Sequence, residues 1–170
     1  MKIKKINYND HLKEIMERLP RGFFLTSQNS GKINTMTIGW GSIAYIWNKP
    51  IFIITVRDSR LSYNIIKKSN NFTISVPYVS KMKEELSFCG SKSGRNYNKF
   101  EECNLDICPG EKINTPVIKG CQYYYECEII YKQKMNINLL EKKSKKIWYK
   151  DNDLHTFFYG EIINSYKNNK

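Results

Sequence analysis

The 170-residue sequence predicts a mainly β fold with α-helical additions, a β-barrel contained in one domain spanning residues 1 to 170. Short apolar or alternating runs recur along the chain, turn residues separate them, and helical periodicity is confined to a few brief stretches. A doubly wound sheet would need regular strand and helix alternation, and two hairpin-like pairings near the N-terminus break that rhythm. No G-x-G-x-x-G follows a strand, so no dinucleotide-binding fold is indicated.

Taken in order, residues 10 to 19 read as a short helix: Asp10 caps it, Leu12, Ile15, Met16 and Leu19 fall at helical spacing, and Pro20 stops it. Gly22 to Ser27 is a strand closed by the turn formers Gln28-Asn29-Ser30-Gly31. Ile33 to Ile38 is its partner, and after a glycine-marked bend pairing resumes through Ile43 to Ile46. Asn48-Lys49-Pro50 reads as a turn, Ile51 to Val56 as a buried strand, and residues 59 to 68 as a helix burying Leu61, Ile65 and Ile66. Phe72 to Val76 alternates as a strand ended by Pro77, and residues 80 to 88 read as helical. In Tyr123 to Tyr131, the residues Tyr125, Cys127, Ile129 and Tyr131 share one face of a strand and Glu126 and Glu128 the other. Leu154 to Ile163 forms the last strand.

Composition narrows the classes. A hydrophobic content of 41%, with 14% aromatic, excludes general disorder, and no apolar stretch is long enough to span a membrane. The start, Met1 to Asn7, lacks the apolar core and cleavage site of a signal peptide, so a cytoplasmic location is expected. The five cysteines at 89, 103, 108, 121 and 127 form no C-x-x-C pair; a packing role is expected for most, with Cys127 on an inward strand face. A net charge of +12 raises the possibility of nucleic acid, but the lysines are scattered, no reading element accompanies them, and nucleic-acid binding is not expected. Only residues 139 to 146 concentrate charge, as a solvated loop or short helix.

Two clusters carry chemistry. Residues 57 to 66, Arg57-Asp58-Ser59-Arg60-Leu61-Ser62-Tyr63-Asn64-Ile65-Ile66, stand where a strand gives way to a helix, so two guanidiniums and two hydroxyls gather at a place suited to a phosphate. Ser59 serves there as helix N-cap or as phosphate donor; an ordinary capped helix with solvated arginines has the same composition. Downstream, Cys89-Gly90-Ser91-Lys92-Ser93-Gly94-Arg95-Asn96-Tyr97-Asn98-Lys99 combines glycines that let backbone approach an anion with hydroxyls and cations; a flexible basic loop is the alternative. Gly94 is followed by Arg95-Asn96 where a P-loop needs Lys-Ser or Lys-Thr, so nucleoside triphosphate hydrolysis is not indicated.

Asn34-Thr35-Met36-Thr37-Ile38-Gly39-Trp40-Gly41, then Val56 to Arg60, then Phe88-Cys89-Gly90 with Ser93-Gly94-Arg95 and Lys99-Phe100, resembles the flavin reductase-like (flavoredoxin) family from about Arg21 to about Ile163. The segment His155 to Ile162 is similar to that family's closing strand. The resemblance implies an FMN-binding split β-barrel. By position it implies that Asn34, Thr35, Met36 and Thr37, with Gly41 and Ser42, wall the isoalloxazine. Arg57, Ser59 and Arg60, with Ser93, Gly94 and Lys99, would hold the phosphate, Cys89 and Gly90 would lie near the ring or ribityl chain, and His155 would face the open side of the flavin.

The implied activity is an FMN-dependent oxidoreductase that takes reducing equivalents from a nicotinamide nucleotide or a redox-protein donor and passes them to flavin or another acceptor. A noncatalytic FMN-binding electron carrier or sensor is the alternative. The family also implies a homodimer, for which Tyr123, Tyr124 and Trp148 are expected interface material. The sequence departs from the family pattern at Asn96, where an acidic residue often stands, and in a lysine-rich insertion around residues 139 to 150.

Overall fold

A computed structural model describes residues 2–169. Two tight hairpins organise its first half. Strand β2 (Phe23–Asn29) returns as β3 (Lys32–Ile38) through Ser30 and Gly31, both at positive φ, the pairing Asn29 with Lys32 leaving a two-residue turn. Strand β4 (Gly41–Ile46) returns as β5 (Lys49–Arg57) through Trp47 and Asn48, also at positive φ, with Ile46 opposite Lys49. The turn expected at residues 48 to 50 therefore sits one residue earlier. Pro50 belongs to β5, just before that strand begins to pair with the last strand, where its missing N–H costs no ladder bond on that side.

Strand β6 (Asn71–Val76), the long β9 (Tyr123–Lys134) and β10 (His155–Asn168) complete the main sheet, whose order is β3-β2-β6-β9-β10-β5-β4. A short β1 (Ile3–Lys5), not anticipated from the sequence, adds to β10. Strands β7 (Ile107–Cys108) and β8 (Val117–Ile118) make a separate ribbon. The barrel is not closed, because β3 and β4 end the path without pairing to each other.

Helix α1 (Leu12–Arg18) starts at His11 rather than on a cap by Asp10, whose carboxylate instead accepts the Asn7 N–H. Helix α2 (Leu61–Ile66) is shorter than the expected 59 to 68, and Arg60, not Ser59, is its N-cap residue. Helix α3 (Lys83–Ser91) runs through Cys89-Gly90-Ser91, which the sequence placed in a loop. The glycine is tolerated in the last turn because the helix there lies against β3: a Cβ on Gly90 would stand 3.3 Å from Thr37 Cβ. Two short helices follow, α4 (Lys99–Glu102) and α5 (Lys142–Trp148), the latter inside the lysine-rich insertion.

The main core fills the barrel interior with Phe23, Leu25, Phe52, Ile54, Phe72, Ile74, Tyr125, Cys127 and Phe158. A second cluster, built on Phe24, Leu86, Cys89, Tyr124 and Tyr166, lies on the other face of the sheet. One expectation is corrected. Tyr123 and Tyr124 are buried rather than exposed interface aromatics, whereas Trp148 is exposed. Glu126 is fully buried, because the chain from Glu111 to Ile113 folds over that face and gives three backbone N–H groups to its carboxylate at 2.7, 2.7 and 3.1 Å.

Candidate functional site

Where the seam of the barrel stays open, β3, the start of α2 and the chain from Lys92 to Lys99 enclose a cleft of about 420 Å³. Five cations line it, Arg57, Arg60, Lys92, Arg95 and Lys99, against the carboxylates of Asp151 and Asp153. Such an excess over a small polar space is an anion-binding field. The two sequence clusters are tied together here. Arg95 Nη1 donates to the Ser59 carbonyl at 2.9 Å, and Asn34 Nδ2 donates to Ser62 Oγ at 2.8 Å across the floor. Gly94 is required by that closeness, since a Cβ on it would fall 2.2 Å from Asn34 Oδ1.

The cations are not equivalent. Lys99 is buried, its ammonium donates to the carbonyls of Thr35 (3.1 Å) and Cys89 (2.7 Å), and burial pulls its pKa below the ordinary lysine value. It therefore fastens α3 and α4 to β3 and sends its charge into the cleft from below. Arg57 donates to the carbonyls of Trp148 and Asp153, each at 2.9 Å, and packs on the Tyr149 ring. Ser59 gives both its N–H (3.1 Å) and its hydroxyl (2.6 Å) to the Asp153 carboxylate. Among the described residues Arg60 has no hydrogen-bond or carboxylate partner for its guanidinium, which makes it the cation most available to an anion.

A second cleft of about 210 Å³ adjoins the first, and Met36, Arg57 and Arg60 line both. Its walls are Thr37 to Trp40, Thr55, Trp148 and His155. Trp40 meets the Trp148 ring edge-on at 5.2 Å and the His155 ring at 5.1 Å. Thr55 Oγ1 is buried there with no hydrogen-bond partner among the described residues. Thr37 spends its hydroxyl on the Leu86 carbonyl at 2.6 Å. Its backbone is another matter: the Thr35 carbonyl points away from β2, toward Lys99, and by the two-residue period of a strand Thr37 also turns its N–H and C=O to the free edge.

His155 is buried and its Nδ1 lies 2.8 Å from the Tyr149 hydroxyl. Burial, helped by the nearby Arg57 charge, lowers its pKa to about 4, so the ring is neutral at neutral pH. With the phenol donating to Nδ1, the imidazole proton sits on Nε2. In the unfolded chain the ring regains a pKa near 6.5, so its stability contribution is complete above pH 6.5 and is lost as pH falls toward 4. The native protein should therefore lose about 2 kcal/mol between pH 7 and pH 5 through this residue. Denaturant unfolding at both values, in the native chain and in His155→Gln, measures it; equal pH dependence in the two would refute it.

Most of the anticipated residues converge. Asn34, Met36, Arg57, Ser59, Arg60, Ser93, Gly94 and Lys99 line the anion cleft, and Met36, Thr37 and His155 the aromatic one. Thr35 is buried and bonds the Leu25 carbonyl across the hairpin. Gly41 and Ser42 line neither cleft; Gly41 sits in close pairing with β5, where a Cβ would meet the Ile53 carbonyl at 2.6 Å. Cys89 is enclosed in the second core, with its thiol pushed up to about 12 by burial, and Gly90 faces a separate, larger cleft behind Thr37. Thr55, Tyr149 and Asp153 were not anticipated. Asp153 is an acid set between a lysine run and His155, and that is the signal the sequence held.

Residues 16–170 match the sequence model of the flavin reductase like domain. The chain belongs to the flavin reductase-like family. Its open-seamed barrel is the split barrel of that fold. An uncharacterized protein of Archaeoglobus fulgidus is 26% identical over 144 residues, which cover 85% of this chain and 71% of the relative. The flavoredoxin of Methanosarcina acetivorans superposes with a TM-score of 0.67 at 27% identity, over 86% of this chain and 68% of that one. An FMN-binding domain of a flavin reductase-like enzyme from Shewanella baltica superposes with a TM-score of 0.69 at 18% identity, over 98% and 77% of the two chains. No described helix is long and apolar enough to cross a membrane.

Proposed function

We propose that this flavin reductase-like chain is a single-domain FMN-binding oxidoreductase, passing reducing equivalents from NAD(P)H or a redox protein to flavin or another acceptor. The observation that carries the reading is the continuity of the two clefts: a cationic compartment and an aromatic one share Met36, Arg57 and Arg60. A phosphate at one end and a flat, hydrogen-bonding ring at the other would match that order of chemistry. The orphaned Thr55 hydroxyl and the close pass of Gly94 over Asn34 fit a polar ligand laid along β3.

Arg60, Arg95, Ser59 and Ser93 would hold the phosphate, with Lys99 adding charge from beneath and Asn34 and Ser62 forming the floor. The free edge of β3 at Thr37 would present a backbone donor and acceptor to the ring, and Met36 a soft apolar contact. FMN, when bound, supplies the hydride and electron chemistry. The protein's part is to orient that group, with Trp40 walling the ring end and neutral His155 beside it offering an uncharged donor at the cleft wall.

A homodimer would complete the ring end. On β5 and β10 the outer face carries Ile53, Phe157 and Tyr159, all half-buried, and continues into the contacting aromatics Trp47 and Tyr131. That strip starts at His155 and Thr55, so a second subunit seated on it would cover the aromatic cleft.

The test is the visible spectrum of FMN-reconstituted protein, followed by anaerobic NADH or NADPH. Flavin uptake with bleaching by one nucleotide is the expected result and names the donor. Uptake without bleaching would assign an electron carrier or sensor, and absence of uptake would remove the reading altogether.

A further inference from the structure

The insertion between β9 and β10 crosses the mouths of both clefts. Its attachments lie between Trp148 and Leu154, where the Asp151 carboxylate stands 3.6 Å from Arg57 and the Leu154 carbonyl accepts the Asp58 N–H at 3.0 Å. Tyr149 is buried against His155, Trp148 gives its carbonyl to Arg57 and its ring to Trp40, and Asp153 takes both donors of Ser59 and, through its carbonyl, a second Arg57 N–H. Elsewhere the segment is loosely held. Helix α5 buries no residue, Leu139 is 84% exposed and Trp148 52%, and Lys142, Lys143, Lys145, Lys146 and Lys150 crowd like charges onto it.

Asp153 stands where the phosphate ligand set has been placed, so the inference rests on the proposed FMN site. Each Ser59 donor can serve one strong acceptor at a time. A phosphate monoester brings about −1.5 to −2 charges against the single charge of a carboxylate, and it would share the cleft with two carboxylates that repel it. We propose that Asp153 is an internal competitor for the flavin phosphate, and that residues 139 to 154 form a strap released by that phosphate. Displacing Asp153 also removes acceptors from Arg57, which loosens Trp148 and uncovers the aromatic cleft. Filling the anion end thus opens the ring end. Two states differing in these few contacts are enough: a strap open about a tenth of the time weakens apparent FMN affinity about tenfold.

The strap carries its own reporter, because trypsin cuts at its lysines and cleavage tracks the open population. The full chain is digested briefly with FMN, with inorganic phosphate, or with chloride at matched ionic strength, and the cut sites are read by mass spectrometry. FMN and phosphate should each accelerate cleavage within residues 142 to 150, and chloride should not. Asp153→Asn should be cut fast without ligand and bind FMN about tenfold more tightly, with Asp153→Ala as the second variant if the amide still holds Ser59. Slower cleavage with FMN, inert phosphate, or unchanged or weakened FMN binding in both variants would overturn the proposal and make Asp153 a positioning partner of Ser59. Failure of every form to take up FMN would instead bring down the proposed function, and the strap's trigger with it.

Discussion

Arg60→Ala is expected to weaken FMN binding by about 1.5–3 kcal/mol, the scale of a charge-assisted hydrogen bond to phosphate, while riboflavin binding stays nearly unchanged. The choice of Arg60 over its neighbour follows from the structure. Arg57 is engaged with two carbonyls of the insertion and an aromatic face, so its removal disturbs the strap as well as the cleft. Arg60 lines both clefts and has no hydrogen-bond or carboxylate partner among the described residues, so its truncation removes a charge and little else. Titration of both flavins by fluorescence quenching separates the outcomes. Equal loss for the two would place Arg60 at the ring and overturn the phosphate assignment.

The second large effect is structural. Glu126→Ala should destabilise the protein by about 3–5 kcal/mol, because it leaves three backbone donors of residues 111 to 113 without their charged acceptor under a buried face. Denaturant unfolding should show a lower midpoint with little change in slope. A loss under about 1 kcal/mol would mean that the loop finds other partners, water included. Because residues 111 to 113 line neither cleft, FMN affinity at low temperature should survive the change.

The contrast between Glu126 and the hairpins explains what the sequence could disclose. Ser30-Gly31, the alternation of Phe23 to Ser27 and the apolar run of β5 are local signals, and each element formed within a few residues of its expected place. The glycine-serine cluster and the Arg57 segment were likewise legible, since each concentrates its chemistry in a dozen residues. What escaped is nonlocal. Alternation assigned Glu126 to the opposite face correctly, but only the covering loop turns that face into an interior. Lys99 looked like a phosphate ligand by composition, and two backbone carbonyls fixed in space claim its ammonium. Asp153 meets Ser59 across 94 positions of sequence, a pairing that no motif spacing encodes. Gly41 and Ser42 lie near the motif in sequence, yet β4 carries them to the far side of the seam.

The unpaired edges of β3 and β4 bear on how the molecule comes apart. Among the described residues the ladder from β3 to β5 runs the long way, through β2, β6, β9 and β10. Met36 and Thr55, on strands at opposite ends of that path, line one cleft. A molecule gripping both would close the circuit that the hydrogen bonds leave open. Cofactor loading then ceases to be an accessory event: local opening at the seam, free to occur alone in the bare chain, becomes bound up with loss of the whole barrel, and holoprotein and bare chain should differ in cooperativity as well as in midpoint.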